Sequence, residues 1–64
     1  MISQNTWEYL NYWYYKIQSS GTSNQKKAWA EIRQANMSPD ETVAQLLQLC
    51  RYYELLEEAG VTIA

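Results

Sequence analysis

The sequence predicts an all-α protein: a small three-helix bundle with a long C-terminal helix, which dimerisation completes. Three sets of residues favour a helix start and a helix stop, and each segment between them repeats apolar residues at spacings of three and four. The 64 residues contain one proline and two glycines, so few positions interrupt a helix. Because a chain of this length builds one hydrophobic core, we expect residues 1–64 to form a single helical domain.

The first helix is expected near residues 5–19. Asn5 followed by Glu8 matches a capping box, and Gly21 provides a stop after the last apolar residue. Five apolar residues recur on one side of this segment, as on a helix half buried against a core. The residues expected to point inward are Trp7, Leu10, Trp13, Tyr14 and Ile17.

The second helix is expected near residues 23–36, with Thr22 and Gln25 forming its capping box. Its inner side is composed mainly of small residues, which allow a neighbouring backbone to approach closely. This predicted inner side is Ala28, Ile32 and Ala35, flanked by Trp29. We therefore expect a short connecting helix that packs tightly and turns its basic residues to water.

The third helix is expected near residues 39–59. Ser38 supplies a capping hydroxyl, Pro39 suits the first helical position, and two acids follow where the helix dipole favours negative charge. Gly60 suits the left-handed residue that ends a helix, and residues 61–64 form a short β-prone tail. A helix of this length is about 30 Å long, more than the two shorter helices are expected to cover.

Two apolar stripes run along the third helix. The first suits the intramolecular core and contains Val43, Leu46, Leu47 and Cys50. The second lies about a quarter to a third of a turn away and contains Leu49, Tyr52, Tyr53 and Leu56. Because so small a chain gains stability by oligomerising, we predict a homodimer interface on the second stripe. The alternative is a central helix that its own chain buries on several sides.

Two tyrosines of the first helix do not fit its inner face. Tyr12 and Tyr15 lie opposite Leu10 and Ile17, next to Glu8, so the core of their own chain cannot easily accommodate them. Exposed tyrosines supply contact area at low entropy cost and are enriched at protein interfaces. We predict that Tyr12, Tyr15 and Glu8 bind a partner protein; base stacking is disfavoured because few cations lie nearby.

The composition excludes most catalytic chemistry. There is no histidine and Cys50 is the single cysteine, so zinc sites, disulfide frameworks and imidazole-based catalysis are excluded. The acids near the end of the third helix have no group to act with and are interpreted as a solvated face: Glu54, Glu57 and Glu58. We therefore expect no enzymatic activity, no metal and no cofactor, and we interpret Cys50 as a core residue.

The charge is distributed unevenly along the chain. Residues 1–37 contain four basic and two acidic residues, whereas residues 38–64 contain one basic and five acidic residues. This pattern lacks the continuous basic stripe of a nucleic-acid-binding protein. The second and third helices have a helix-turn-helix outline, but the latter opens with Pro39, Asp40 and Glu41, and acids there would face phosphates.

These observations predict a small non-enzymatic cytoplasmic protein that binds another protein as an inhibitor or adaptor. No residue pattern indicates a leader or a membrane segment. No motif identifies a family, although the outline is common among small helical regulators, including phage-encoded ones. The alternatives are a self-assembling helical structural subunit and, less favoured, a helix-turn-helix DNA-binding protein.

Overall fold

The chain folds into three α-helices that pack around one core. A computed structural model describes residues 2–61 and gives α1 at Gln4–Ser20, α2 at Ser23–Gln34 and α3 at Pro39–Glu58. No strand occurs within residues 2–61, so the predicted all-α three-helix bundle is confirmed. The predicted β-prone tail lies, apart from its first residue, outside the described residues.

The start of α1 differs from the sequence prediction. Ser3, not Asn5, is the N-cap: its backbone is extended and its side chain accepts a hydrogen bond from the Thr6 amide at 3.2 Å. Asn5 already lies in the first helical turn, so its predicted role as the capping residue is wrong. Because Ser3 caps the helix two residues before Asn5, α1 begins at Gln4 rather than near residue 5.

Gly21 joins α1 to α2 through a close backbone approach. Its amide donates to the Ile17 carbonyl at 2.8 Å, which ends α1. The predicted capping box follows directly: the Thr22 amide donates to Gln25 Oε1 at 3.0 Å, and the Gln25 amide donates to Thr22 Oγ1 at 3.1 Å. A Cβ atom on Gly21 would lie 2.5 Å from the Ile17 oxygen and 2.8 Å from Gln25 Oε1. This position therefore has no room for a side chain.

Replacing Gly21 by alanine is expected to lower the free energy of unfolding by about 1–3 kcal/mol, because backbone atoms must move to admit the methyl group. Urea denaturation followed by circular dichroism measures the change. Gly60→Ala isolates backbone strain from a clash: Gly60 has a φ of 74° and nothing lies within 4 Å of a Cβ there, so this variant should lose only about 1–2 kcal/mol, the cost of a left-handed alanine. A Gly21→Ala protein as stable as the wild type would contradict the predicted clash.

The start of α3 follows the sequence prediction. Ser38 is the N-cap and accepts a hydrogen bond from the Glu41 amide at 3.2 Å, and Pro39 occupies the first helical position. At the other end, Gly60 adopts the left-handed conformation expected of it. The helix ends at Glu58, close to the predicted limit of residue 59. Local capping chemistry therefore determines both ends of this helix.

The core lies between the three helices, and Ile17 and Cys50 are its most deeply buried side chains. Its seven buried apolar residues are Leu10, Trp13, Ile17, Trp29, Leu46, Cys50 and Tyr53. A shell of partly buried side chains packs against them: Tyr9, Ile32, Val43, Leu47, Leu49 and Leu56. Residues from every helix contribute, so no pair of helices forms a complete core alone.

Two residues expected in the core of α1 are at the surface. Trp7 is 49% exposed and Tyr14 is 39% exposed, so their predicted inward orientation is wrong. The buried side of α1 is centred on Leu10, Trp13 and Ile17; Tyr14 lies at its edge against Trp29 of α2, and Trp7 shares the face of Tyr14 two turns earlier in the helix. Because three-helix packing covers a narrower strip than the sequence pattern suggests, the edge residues remain open to solvent.

The buried side of α2 is also shifted from the prediction. Trp29 and Gln25 are buried, whereas Ala35 is exposed and forms the C-cap beyond Gln34, so its predicted place on the inner side is wrong. The large indole of Trp29 occupies the space against α1, where its ring centroid lies 5.8 Å from that of Tyr14. On its α1 side this helix therefore packs through an aromatic contact rather than through a stripe of small residues.

Candidate functional site

The residues predicted to bind a partner share the outward face of α1. Tyr12 is 59% exposed, Tyr15 is 68% exposed, and Glu8 is exposed one turn earlier. Their spacing of four and then three residues places them along one side of the helix, away from the buried side. The structure therefore brings the three residues together on a solvent-facing surface, which we call the tyrosine face.

Neighbouring side chains hold both rings of the tyrosine face. The Tyr12 ring meets Trp13 edge-on with centroids 6.0 Å apart, and Lys16 Nζ lies 5.6 Å from the Tyr12 centroid. The Tyr15 ring meets Tyr14 edge-on at 5.5 Å. Rings restrained in this way lose little conformational freedom when a partner covers them, which favours binding.

Lys16 links the edge of the tyrosine face to the end of α3. Its ammonium donates to Glu57 at 2.7 Å and lies 4.6 Å from the Trp13 ring centroid. The hydrogen bond to the Glu57 carboxylate raises the pKa of Lys16 above its ordinary value. It is the one ion pair among residues 2–61, and it joins α1 to α3.

A second polar contact joins α1 to α3 beside a groove. Tyr9 donates its hydroxyl to Glu54 at 2.6 Å, and burial, with Glu54 adding to it, raises the pKa of Tyr9 to about 12. The groove next to it has a volume of about 500 Å³. Its lining comes from the start of α1 and the second half of α3: Asn5, Thr6, Tyr9, Leu47, Arg51, Glu54 and Leu55.

The acids at the end of α3 are not simply a solvated face, contrary to the interpretation from the sequence. Glu54 is half-buried and bound by Tyr9, and Glu57 is bound by Lys16, while Glu58 is exposed. Two of the three carboxylates therefore fasten helices together. Among the described residues no group of three or more His, Cys, Asp or Glu side chains could hold a metal ion.

The stripe predicted to form a dimer interface is largely covered by its own chain. Tyr53 is buried at 5% exposure with its ring centroid 6.2 Å from that of Trp13, and Leu49 and Leu56 are half-buried against the core. Tyr52, at 58% exposure, is the member that faces solvent. The inference from helix length that α1 and α2 cannot cover this stripe is therefore wrong; dimerisation itself stays a prediction.

Cys50 is a core residue. Its side chain is fully buried, and burial raises the pKa of its thiol to about 12, so the thiol stays protonated at neutral pH. A protonated thiol without solvent access is neither a nucleophile nor a metal ligand. Cys50 therefore fills the core, as the sequence predicts, and nothing in residues 2–61 gives its thiol a chemical role.

Sequence reasoning missed a second group of exposed residues, at the seam between α1 and α2. Tyr14 of α1 contacts Trp29 of α2 there, the exposed Trp7 shares the face of Tyr14, and the exposed Lys26 and Arg33 both lie within about 60° of Trp29 around α2. The available signal was that each pair is spaced by seven residues, which places its members on one helix face. That signal becomes informative only once α2 is known to pack beside Tyr14.

Comparisons of the chain with protein-family models, with curated proteins and with solved structures give no match. None of the described helices is both long enough and apolar enough to cross a membrane.

Proposed function

We propose that this chain is a small non-enzymatic protein that binds another protein in the cytoplasm, as an inhibitor or adaptor, through the tyrosine face. The observation that carries the proposal is the pair of restrained, largely exposed rings of Tyr12 and Tyr15 on one side of α1. Neither ring contributes to the core of the monomer, so stability does not explain their presence.

The spacing of the tyrosine face suits a helix that docks into a groove. Anchors at positions i, i+4 and i+7 are typical of helix-in-groove recognition, and Glu8, Tyr12 and Tyr15 follow this spacing. Each tyrosine offers a broad apolar ring with a polar tip, which pairs with both apolar and polar groups of a partner. Glu8 adds one negative charge, which contributes more to the orientation of the bound partner than to the affinity.

The other two functions receive less support from the structure. A helix-turn-helix reading requires the first turn of α3 to approach DNA, but the exposed Asp40 and Glu41 would repel phosphates there. A self-assembling subunit needs an apolar surface for a second copy. Tyr52 and Leu55, at 58% and 64% exposure on α3, are the residues that support this second candidate.

Replacing Tyr12 and Tyr15 together by alanine is expected to weaken binding to the partner by about thirtyfold, since a tyrosine that anchors an interface contributes about 1 kcal/mol or more. The partner is captured with the wild type from its native cell, identified by mass spectrometry, purified and titrated against each variant. Because both rings are exposed, circular dichroism of the double variant should match the wild type.

Tyr52→Ala is the matched control, because Tyr52 has the same side chain and a similar exposure on a different helix. It should bind the captured partner with unchanged affinity. If the Tyr12, Tyr15 double variant binds as tightly as the wild type, the tyrosine face is not the binding surface. If the wild type instead binds random duplex DNA with steep salt dependence, the DNA-binding alternative replaces the proposal.

A further inference from the structure

The contact between Tyr14 and Trp29 marks a seam between α1 and α2, and two aromatic residues and two cations lie on the helix faces that carry these rings. Trp7 and Tyr14 are seven residues apart and so lie on one side of α1, and the Tyr14 ring centroid is 5.8 Å from that of Trp29 on α2. Lys26 precedes Trp29 by three residues and Arg33 follows it by four, so both flank the indole on the same side of α2. We call Trp7, Tyr14, Lys26 and Arg33 the basic seam.

All four residues of the basic seam are open to solvent. Trp7 and Tyr14 are 49% and 39% exposed, and the two cations are exposed as well. Neither Lys26 nor Arg33 forms an ion pair with any residue from 2 to 61. The seam therefore combines apolar surface with positive charge that the described part of the chain does not neutralise.

No carboxylate shares this side of either helix. At about 100° per residue, Glu8 is turned about 100° from Trp7, and Glu31 is turned about 160° from Trp29. The five remaining acids of the chain belong to the third helix. Because the nearest acids of α1 and α2 point elsewhere, the seam is a locally positive surface on a chain whose net charge is −2.

We propose that the basic seam binds an acidic segment of a partner protein, with an apolar side chain of that segment against Trp7 and Tyr14. Carboxylates pair with Lys26 and Arg33, and the Arg33 guanidinium donates two parallel hydrogen bonds to a carboxylate. Seven residues of helix span about 10 Å, so the two cations suit carboxylates separated by about two helical turns.

A protein segment fits the seam better than a nucleic acid does. Two cations neutralise about two phosphates, too few for the cooperative electrostatics of nucleic-acid binding. The acidic third helix would also repel a phosphate backbone that extended beyond the seam. Charge complementarity together with the exposed indole therefore favours an acidic peptide that carries apolar anchors.

The basic seam is distinct from the tyrosine face and does not depend on it. Tyr15 is turned about 80° from Trp7 around α1, so the two surfaces meet at an angle. The edge-on contact between Tyr14 and Tyr15 connects them. Different variants test the two surfaces, so the failure of one proposal leaves the other standing.

The probe is a synthetic amphipathic peptide with glutamates seven residues apart and leucines on the same helical side, added to the full chain in low-salt buffer. Of the three tryptophans, Trp13 and Trp29 are 3% and 5% exposed, so acrylamide quenches mainly Trp7. Binding should shield Trp7 from quenching in a saturable way. The same peptide with lysines in place of the glutamates should give no shielding, and added salt should weaken the effect.

Lys26→Glu and Arg33→Glu should each weaken binding of the glutamate peptide by about tenfold, because each converts an attraction into a repulsion. Lys27→Glu is the matched control: it makes the same charge change at the adjacent position, about 100° round the helix and away from the seam. Its binding should stay within about twofold of the wild type. Circular dichroism verifies that all three variants fold.

Four results would overturn the proposal. The first is that the glutamate peptide fails to shield Trp7 in a saturable way. The second is that Lys27→Glu loses as much binding as Lys26→Glu, and the third is that a single-stranded oligo-dT binds more tightly than the peptide. The fourth is self-association, measured by light scattering, that Lys26→Glu abolishes and Lys27→Glu does not. That result would assign the seam to the acidic helix of a second copy.

Discussion

Trp13→Ala is expected to unfold a large fraction of the protein at room temperature. Truncating a buried tryptophan typically costs about 3–5 kcal/mol. Domains in general have about 5–15 kcal/mol of stability, and one as short as this lies at or below the lower end. The loss is therefore comparable to the whole free energy of unfolding.

The contacts of Trp13 explain why the effect is so large. The side chain is 3% exposed, and its ring centroid lies 6.2 Å from that of Tyr53 on α3. Lys16 Nζ lies 4.6 Å from the same indole, and that ammonium also holds Glu57. Removing the indole leaves a cavity between α1 and α3. It also removes the cation–π contact with Lys16, whose ammonium forms the one ion pair among residues 2–61.

Trp7→Ala provides the matched control, because it removes the same side chain from the same helix at a position that is 49% exposed. It should cost about 1 kcal/mol or less, since little buried surface is lost. Urea titration followed by circular dichroism at 222 nm compares the two variants with the wild type. Equal destabilisation by the two substitutions would contradict the assignment of Trp13 to the core and Trp7 to the surface.

The helix boundaries could be predicted from sequence where the capping chemistry is local. The Thr22 and Gln25 capping box and the Ser38 and Pro39 start involve atoms within four residues of each other, so no knowledge of packing is needed. The start of α1 was mispredicted because Ser3 and Asn5 are both good capping residues. When two good capping residues lie close together, the packing of the helix, and not the local sequence, determines which one becomes the N-cap.

Burial was harder to predict, because it depends on where the neighbouring helices lie. The exposure of Tyr12 and Tyr15 followed from their position opposite Leu10 and Ile17, since any packing of α1 leaves that side open. Trp7 lies at the edge of the buried stripe, where a shift of a neighbouring helix decides between core and surface. The basic seam was missed for the same reason, as it exists only once α2 packs beside α1.

The two apolar stripes of α3 show the same limit. The apolar pattern correctly places Leu46 and Cys50 in the core, but helix length alone predicts a partner subunit over the second stripe, because α1 and α2 are short. In the structure Tyr53 reaches the Trp13 ring and Leu49 and Leu56 pack against the core, while Tyr52 remains exposed. Large aromatic side chains thus let short helices cover more of a long one than their backbone length suggests.

Leu49→Glu combined with Leu56→Glu is expected to unfold the chain at every concentration, whether or not the protein dimerises. Both side chains pack against the core, and a carboxylate there loses solvation without gaining a partner, at a cost of several kcal/mol per group by the usual order of magnitude. Circular dichroism should therefore show little helix in this double variant. The pair would disrupt the fold itself and could not report on an interface.

Leu55→Glu separates folding from self-association, because Leu55 is 64% exposed beside Tyr52 on the outward side of α3. This variant should keep the circular dichroism spectrum and thermal midpoint of the wild type. If a homodimer forms through the exposed residues of α3, light scattering at high micromolar concentration should show a dimer for the wild type and a monomer for Leu55→Glu. A wild type that is monomeric there would contradict the predicted homodimer. A folded, monomeric Leu49, Leu56 double variant of a dimeric wild type would instead return the interface to the stripe predicted from the sequence.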